Sequence, residues 1–401
     1  MSHVIIRMDD DCRISQKILK RKRTDTECQF ADLISQPSQS AGLRYDEEGD
    51  VSSSFHRVPI TTLSHDEYTI GWICALPLEM AAATAMLDEI HHDLDKLPTD
   101  SNTYTLGSIN KHNIVIAGLP SGIYGTTSAT VVASQMKHSF RSIEFWLMVG
   151  VGGGAPRAGI DIRLGDVVVS VPVGEFDGVV QYDYGKVTRD GGFQRTGALS
   201  KPPLILLTAV SKLQSENERN GSQVPAILSK MQEAYPRMAG SYSYPDREKD
   251  VLFQAEYEHE LGDTCAQCDK GKLVLRVPRS SNTPKVHYGL IASGNQVIKH
   301  GVTRARLAEE LGILCFEMEA AGLMNEFPCV VIRGICDYAD SHKNKGWQRH
   351  TAAVAAAFAK ELLSVVPPHE VERMPLIGSR TSISFRTFST DISHVRVLLL
   401  V

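Results

Sequence analysis

The chain has 401 residues, 42% of them hydrophobic and 22% charged, and a formal net charge of −5. At about 100–200 residues per domain, this length allows one large α/β domain with tails or two to three smaller domains. The acidic balance argues against a globally basic nucleic-acid binder, and no run reaches the roughly 18 apolar residues of a membrane span.

Residues 1–65 are polar, rich in Ser and charge and without sustained period, and read as a disordered tail. Within it, Lys20-Arg21-Lys22-Arg23 reads first as a solvated charge run, with a nuclear signal as the alternative. No apolar signal segment opens the chain. Four of the eight cysteines (Cys74, Cys315, Cys329 and Cys336) lie in apolar strand-like runs, the pattern of reduced thiols in a cytoplasmic protein.

Periodic structure begins at Tyr68. Residues 68–76 read as a buried strand, and Pro77 suits the first turn of a helix over 78–90 that ends at His91-His92. A hairpin follows at 104–106 and 109–116, then Gly122 and Gly125 ahead of a helix over 126–138 with Thr126 near its start. A strand at 144–149 leads into a glycine loop at 150–159, with a further strand at 167–173. Residues 186–285 are polar, with amphipathic segments near 202–217 and 225–234, and read as a long insertion or lid ordered in part. Strands at 286–293, 313–316 and 329–336 then alternate with helices at 303–311, 320–326 and 351–365. Pro367-Pro368 closes the ordered region, and 369–401 reads as a second tail. Such alternation predicts one α/β layered domain over 66–368.

Three carboxylates stand just past strands: Glu79, Glu319 and Asp337. In open α/β sheets, ligands bind beyond the C-terminal strand ends. Three converging carboxylates suit cleavage of an N-riboside: an acid for the leaving base, a base for water, and an acceptor pair for the vicinal diol. Each carboxylate alone reads at least as well as a helix N-terminal cap.

Four segments in order carry a resemblance: Leu-Gly-Asp-Val-Val-Val-Ser at 164–170, Ser-Gly-Asn-Gln-Val-Ile at 293–298, Cys-Phe-Glu-Met-Glu-Ala-Ala-Gly at 315–322 and Arg-Gly-Ile-Cys-Asp-Tyr-Ala-Asp at 333–340. Together they resemble the nucleoside phosphorylase/nucleosidase superfamily over about 300 residues. Methylthioadenosine/S-adenosylhomocysteine nucleosidases are one similar branch. Another is the fungal branch, in which such a domain often precedes NACHT, ankyrin or tetratricopeptide repeats. The resemblance implies a three-layer α/β/α fold with a mixed central sheet. It gives Glu319 the ribose diol, Met318 and Glu317 a place beside the sugar, and Asp337 the purine N7. Val297 and Ile298 match the base-binding segment, where many relatives have an aromatic in place of Val297, and Trp347 matches an aromatic that closes the pocket.

Phosphorylases of this superfamily hold phosphate with two arginines and a serine, at positions taken here by Glu79, Met148 and Val151. A carboxylate, a thioether and an isopropyl group hold no phosphate dianion. In the nucleosidases a glutamate matching Glu79 activates water, so hydrolysis is expected, although Val151 also replaces the nucleosidases' serine. Gly150-Val-Gly-Gly-Gly imitates a dinucleotide fingerprint, but Pro156 and Gly159 follow where a helix would have to start. Gly150 and Gly152 are therefore expected to line the substrate pocket. Cys265-Ala-Gln-Cys268 has metal-ligand spacing, yet His259 and His287 are the only nearby partners, and the pair reads as adventitious. Lys343, Lys345 and Arg349 form a basic cluster, either a solvated loop or a contact for substrate phosphates.

The resulting expectation is a purine, most of all adenine, nucleoside or nucleotide N-ribohydrolase acting on a substrate such as adenosine or ATP. Asp337 and Glu79 are its catalytic residues, with no metal or organic cofactor, no nucleic-acid or membrane partner, and self-association as in the superfamily. A phosphate-dependent phosphorylase and a non-catalytic nucleotide-sensing module are the alternatives.

Overall fold

The computed structural model describes residues 63–245, 250–259 and 264–368. The expected tails over 1–62 and 369–401 lie outside the described residues. A mixed sheet runs through the middle in the order β11-β10-β6-β12-β5-β1-β4-β3-β2, with β7 (Val179–Gln181) beside β10. Its centre is β1 (Ile70–Cys74), β5 (Phe145–Gly154) and β12 (Cys329–Asp337), all parallel to one another. On one side β4 (His112–Gly118), β3 (Tyr104–Ile109) and β2 (Glu89–Ile90) extend it. On the other, β6 (Val167–Ser170) pairs antiparallel to β12 and leads to β10 (Val286–Ser293) and β11 (Ile313–Glu317).

The far end of β5 bends round to meet β11 antiparallel, Cys315 opposite Gly154 and Phe316 opposite Gly153. Five strands (β5, β12, β6, β10 and β11) therefore close into a ring. β11 runs against β5 and β12, so Glu317 and Glu319 reach the site from the opposite strand direction. The open-sheet rule covers Glu79 and Asp337 only; the other two glutamates arrive because the sheet curls.

Helices cover both faces. Helix α1 (Pro77–Thr84), α3 (Leu204–Asn220), α4 (Val224–Ala234) and α5 (Pro236–Tyr242) gather round α7 (Gln348–Val365). α7 is alanine-rich and almost wholly buried, which lets it lie close to the sheet. Leu206, Ala209, Val210 and Leu213 of α3 and Val224 and Met231 of α4 share a core with Trp72, Leu147 and Phe358. The 186–285 segment is thus no detached lid: its amphipathic stretches form part of the helical layer, while the hairpin β8 (Gly185–Val187) and β9 (Phe193–Arg195) is largely exposed. On the other face α2 (Thr126–Ser139) packs Ala129, Val132 and Met136 against Leu323 and Met324. α6 (Gly301–Leu311) packs Leu307 and Ala308 near Ile313 and Phe316.

Several local expectations shift. Helix α1 stops at Thr84 rather than running to residue 90, because Met86 and Leu87 turn into the core and Glu89 and Ile90 pair with β3. His91 is therefore not at a helix end; its Nδ1 lies 2.9 Å from the Tyr68 hydroxyl. The hairpin turn falls at Asn110, whose φ of 55° is a conformation Asn tolerates, and not at Gly107. Residues 320–326 hold one 3-10 turn, Ala320–Gly322, instead of an α-helix. Gly150–Gly154, expected as a loop, is the second half of β5.

Candidate active site

Arg333 sits in the middle of β12, a nine-residue strand buried throughout. A guanidinium there needs carboxylates, and it has them. Its Nη2 pairs with Glu317 Oε2 and lies 3.4 Å from Glu319 Oε2. Glu317, at the end of β11, also accepts the backbone N–H of Glu319 (3.1 Å) and of Ala320 (3.0 Å). It thereby ties off the chain reversal that carries Glu319. The Gly125 N–H, 3.4 Å away, reaches Glu319 Oε1 from the start of α2. That helix start is fixed by Asn295, whose Oδ1 accepts from Thr126 N (3.1 Å) and Thr126 Oγ1 (3.0 Å).

Glu79 approaches from the opposite wall. As the third residue of α1 it reaches back to the N–H groups of Ala75 (2.7 Å) and Leu76 (2.9 Å), a helix-capping bond that positions its carboxylate. Its other oxygen accepts the N–H of Val151 at 2.7 Å. Gly150 lies directly under this contact: a Cβ there would fall against the Glu79 carboxylate and 2.6 Å from Arg333 Nη1. The glycine is needed for the missing side chain, not for an unusual φ, since the strand is extended there. Gly152 is similarly covered by Phe316 O at 3.0 Å and Arg333 Cβ at 3.2 Å.

Three buried glutamates share one arginine, and their charges show it. Burial pushes the Glu319 carboxyl up to about 7; Arg333 opposes the shift, and Glu317 and Glu79 add to it. Burial likewise raises Glu79 above the usual carboxylate value, against the pull of Arg333 and of its three N–H donors. One guanidinium cannot compensate the desolvation of three carboxylates.

Asp337 ends β12 next to Gly153, where a Cβ would stand 2.8 Å from its Oδ1. That oxygen accepts the Ala339 N–H at 2.9 Å, and Ala339 takes a φ of 51°. A non-glycine residue held in the left-handed region beside a carboxylate is stored strain of the kind that clusters at functional sites. Oδ2 faces Lys343 Nζ at 3.3 Å.

The structure thus brings Glu79, Gly150, Gly152, Glu317 and Glu319 onto Arg333, with Met318 between the two glutamates, and sets Asp337 three residues further along β5. Val297 is exposed and lies past the end of β10, and Ile298 packs beside α6. Trp347, expected as the aromatic that closes the pocket near the sugar, is 1% exposed, edge-on to Tyr244 and His350 and packed over Gly165. Arg333 stood in the sequence only as the first residue of the 333–340 motif, with no role of its own; its signal was a charge inside the most apolar run. Lys343 appeared there only as one of a basic cluster, with nothing to single it out as the neighbour of Asp337.

Comparison with known proteins places the chain in a family. The profile of the Phosphorylase superfamily matches residues 69–366. A nucleotide-binding leucine-rich repeat (NLR)-like protein of Hyaloscypha variabilis is 49% identical over 78% of this chain and 30% of its own length, so the chain spans less than a third of that relative. A 5'-methylthioadenosine/S-adenosylhomocysteine nucleosidase of Mycobacterium bovis is 27% identical over 75% of this chain and 97% of its own. Among solved structures, futalosine hydrolase of Helicobacter pylori aligns with a TM-score of 0.48 and 18% identity, covering 75% of this chain and 99% of that one. With a family match spanning most of its length and a mixed sheet flanked by helices on both faces, the chain belongs to the phosphorylase superfamily.

Proposed function

We propose that this chain hydrolyses the N-glycosidic bond of a purine nucleoside or nucleotide, with adenine as the base. The carrying observation is the Glu79 carboxylate lodged on the Val151 N–H beside Gly150. This is where a phosphorolytic enzyme would have to seat a phosphate dianion, and a carboxylate repels one. The nearby guanidinium, Arg333, is already held by Glu317 and Glu319. Met148, matched to a second phosphate ligand, is fully buried in the core.

In this reading Glu79 activates water, and its raised pKa brings it nearer the neutral range in which a general base works best. Glu319 accepts both hydroxyls of the ribose diol, with Arg333 and Glu317 positioning it. Asp337 donates to the purine N7 as the bond breaks. Lys345 and Arg349, exposed beyond the Lys343–Asp337 pair, favour a substrate with phosphates such as ATP. Similarity to the Mycobacterium bovis nucleosidase supports the hydrolytic class.

The test is chromatography of adenosine, inosine, methylthioadenosine, AMP and ATP after incubation with the chain, with and without added phosphate. Free base should appear equally in both arms. Strict dependence on phosphate would replace this reading with phosphorolysis, and intact substrates throughout would replace it with a binding module.

A further inference from the structure

On the far side of Lys343 lies a cleft of about 690 Å³, lined by His259, Cys265, Cys268, His342 and Trp347 among others. The sequence offers Cys265 and Cys268 at the two-residue spacing of a metal knuckle, and the fold supplies what the spacing lacked. Cys265 opens a one-turn 3-10 helix, Cys265–Gln267, which leaves both thiols free and half-buried at one end. The ring of His259 is brought to them, and one ligand atom from each of the three residues lies within 4.8 Å of the other two. Around a tetrahedral zinc ion, with Zn–S about 2.3 Å and Zn–N about 2.0–2.1 Å, ligand atoms stand about 3.5–3.8 Å apart. Small side-chain rotations close that difference.

A second observation points the same way. His342 is only 8% exposed, yet among the described residues neither of its ring nitrogens has a hydrogen-bond partner. A buried imidazole without partners is costly unless something else occupies its lone pair. The ring is stacked on Phe253 (centroids 4.1 Å apart) and meets the His259 ring edge-on at 5.5 Å. Asp340 Oδ1 stands 3.8 Å from its Nδ1, beyond hydrogen-bond reach, so both ring nitrogens remain for a ligand. The two segments are already in register: the His259 N–H donates to Ser341 Oγ at 2.8 Å, and Cys265 Sγ lies 3.9 Å from the His342 carbonyl. His287, the other histidine near in sequence, is engaged elsewhere, 2.9 Å from Asp166.

We propose that His259, Cys265 and Cys268 bind a zinc ion, with His342 as the fourth donor, and that the ion fastens residues 253–259 and 264–273 to the loop that carries Lys343. Two thiolates with two imidazoles are a soft, four-ligand set that selects zinc over magnesium or calcium. A closed set of four leaves no open position, so the role is structural: the ion holds one wall of the cleft next to Asp337. The proposal does not rest on the hydrolytic reading, because its readout is metal and not base release.

The full chain, purified under reduction, should carry about one zinc per molecule by elemental analysis. Stripped with a chelator and titrated with Co²⁺, it should develop the intense visible bands of tetrahedral thiolate coordination. The double substitution Cys265→Ser/Cys268→Ser should abolish both signals, and His342→Ala should weaken metal affinity at least tenfold. Chelation should lower the melting temperature of the wild type and leave that of the double variant unchanged. Zinc content no higher in the wild type than in the double variant, or a Cys265–Cys268 disulfide that takes up no metal after reduction, would overturn the site. Unchanged affinity in His342→Ala would overturn the fourth ligand.

Discussion

Arg333 is the residue on which the site turns. Removing water from a guanidinium and three carboxylates together is expensive, and their mutual attraction recovers it only when the geometry is tight. The cluster leaves Glu319 with a pKa near 7. Its folded-state pKa is raised above the ordinary value of 4.5, so the stability it contributes is fully present below about 4.5 and is lost as pH rises through about 7. Function runs the other way, since only the ionised carboxylate accepts both hydroxyls of a diol. We expect kcat/KM for a riboside to fall as pH drops through about 7, and to fall less for the 2′-deoxyriboside, which lacks half of that contact. Superimposable pH profiles for the two substrates would remove Glu319 from the diol. Asp337→Asn should lower base release by about 10²–10⁴-fold with the circular-dichroism spectrum unchanged, because it removes a proton donor and leaves the shape. Activity within tenfold of the wild type would assign the leaving-group acid to another residue. Of these residues, Glu79, Glu319 and Asp337 were legible in the sequence by position and motif. Arg333 was only half legible: a charge inside an apolar strand announces partners without naming them.

At the scale of elements, β5 does two jobs. Its first half is an ordinary buried strand between β1 and β12, and its second half is bare backbone against which Glu79, Arg333 and Asp337 press. The glycine run suggested a loop because glycine is common in turns, but here it marks close approach within a strand. Gly150→Ala should cost about 1–3 kcal/mol, as overpacked cores do, and should impair activity more than stability because the clash falls on Glu79 and Arg333. Denaturant melts alongside initial rates separate the two effects; a stable and fully active variant would show that the carboxylate has room to move. The α1 boundary failed for a related reason. Residues 85–90 keep a helical pattern of apolar residues, but pairing of Glu89 and Ile90 with β3 outweighs local propensity.

Over the whole molecule, the helical layer of α1, α3, α4, α5 and α7 and the sheet beneath it form one packed body. Leu206 of α3 is fully buried in the same cluster as Trp72 and Phe358. Leu206→Ala should therefore destabilise the chain by about 2–5 kcal/mol, in a single transition seen alike by tryptophan fluorescence and far-ultraviolet circular dichroism. Two separate transitions would mean that α3 unfolds on its own, as a lid would.

The sequence by itself determined the α/β alternation and the family and singled out Glu79, Glu319 and Asp337 by position, because periodicity and short motifs are local and survive in one dimension. What only the tertiary structure decided is how those pieces meet. The closure of β5 on β11 turns Glu317 and Glu319 toward Arg333 and Glu79, and the packing of residues 204–242 under α7 makes core of what looked like an insertion. The fold also brings His259 to the two cysteines and sets the ring of His342, 83 positions further on, edge-on to that of His259. Contacts between residues this far apart are set by sheet curvature and core packing, which no local pattern records.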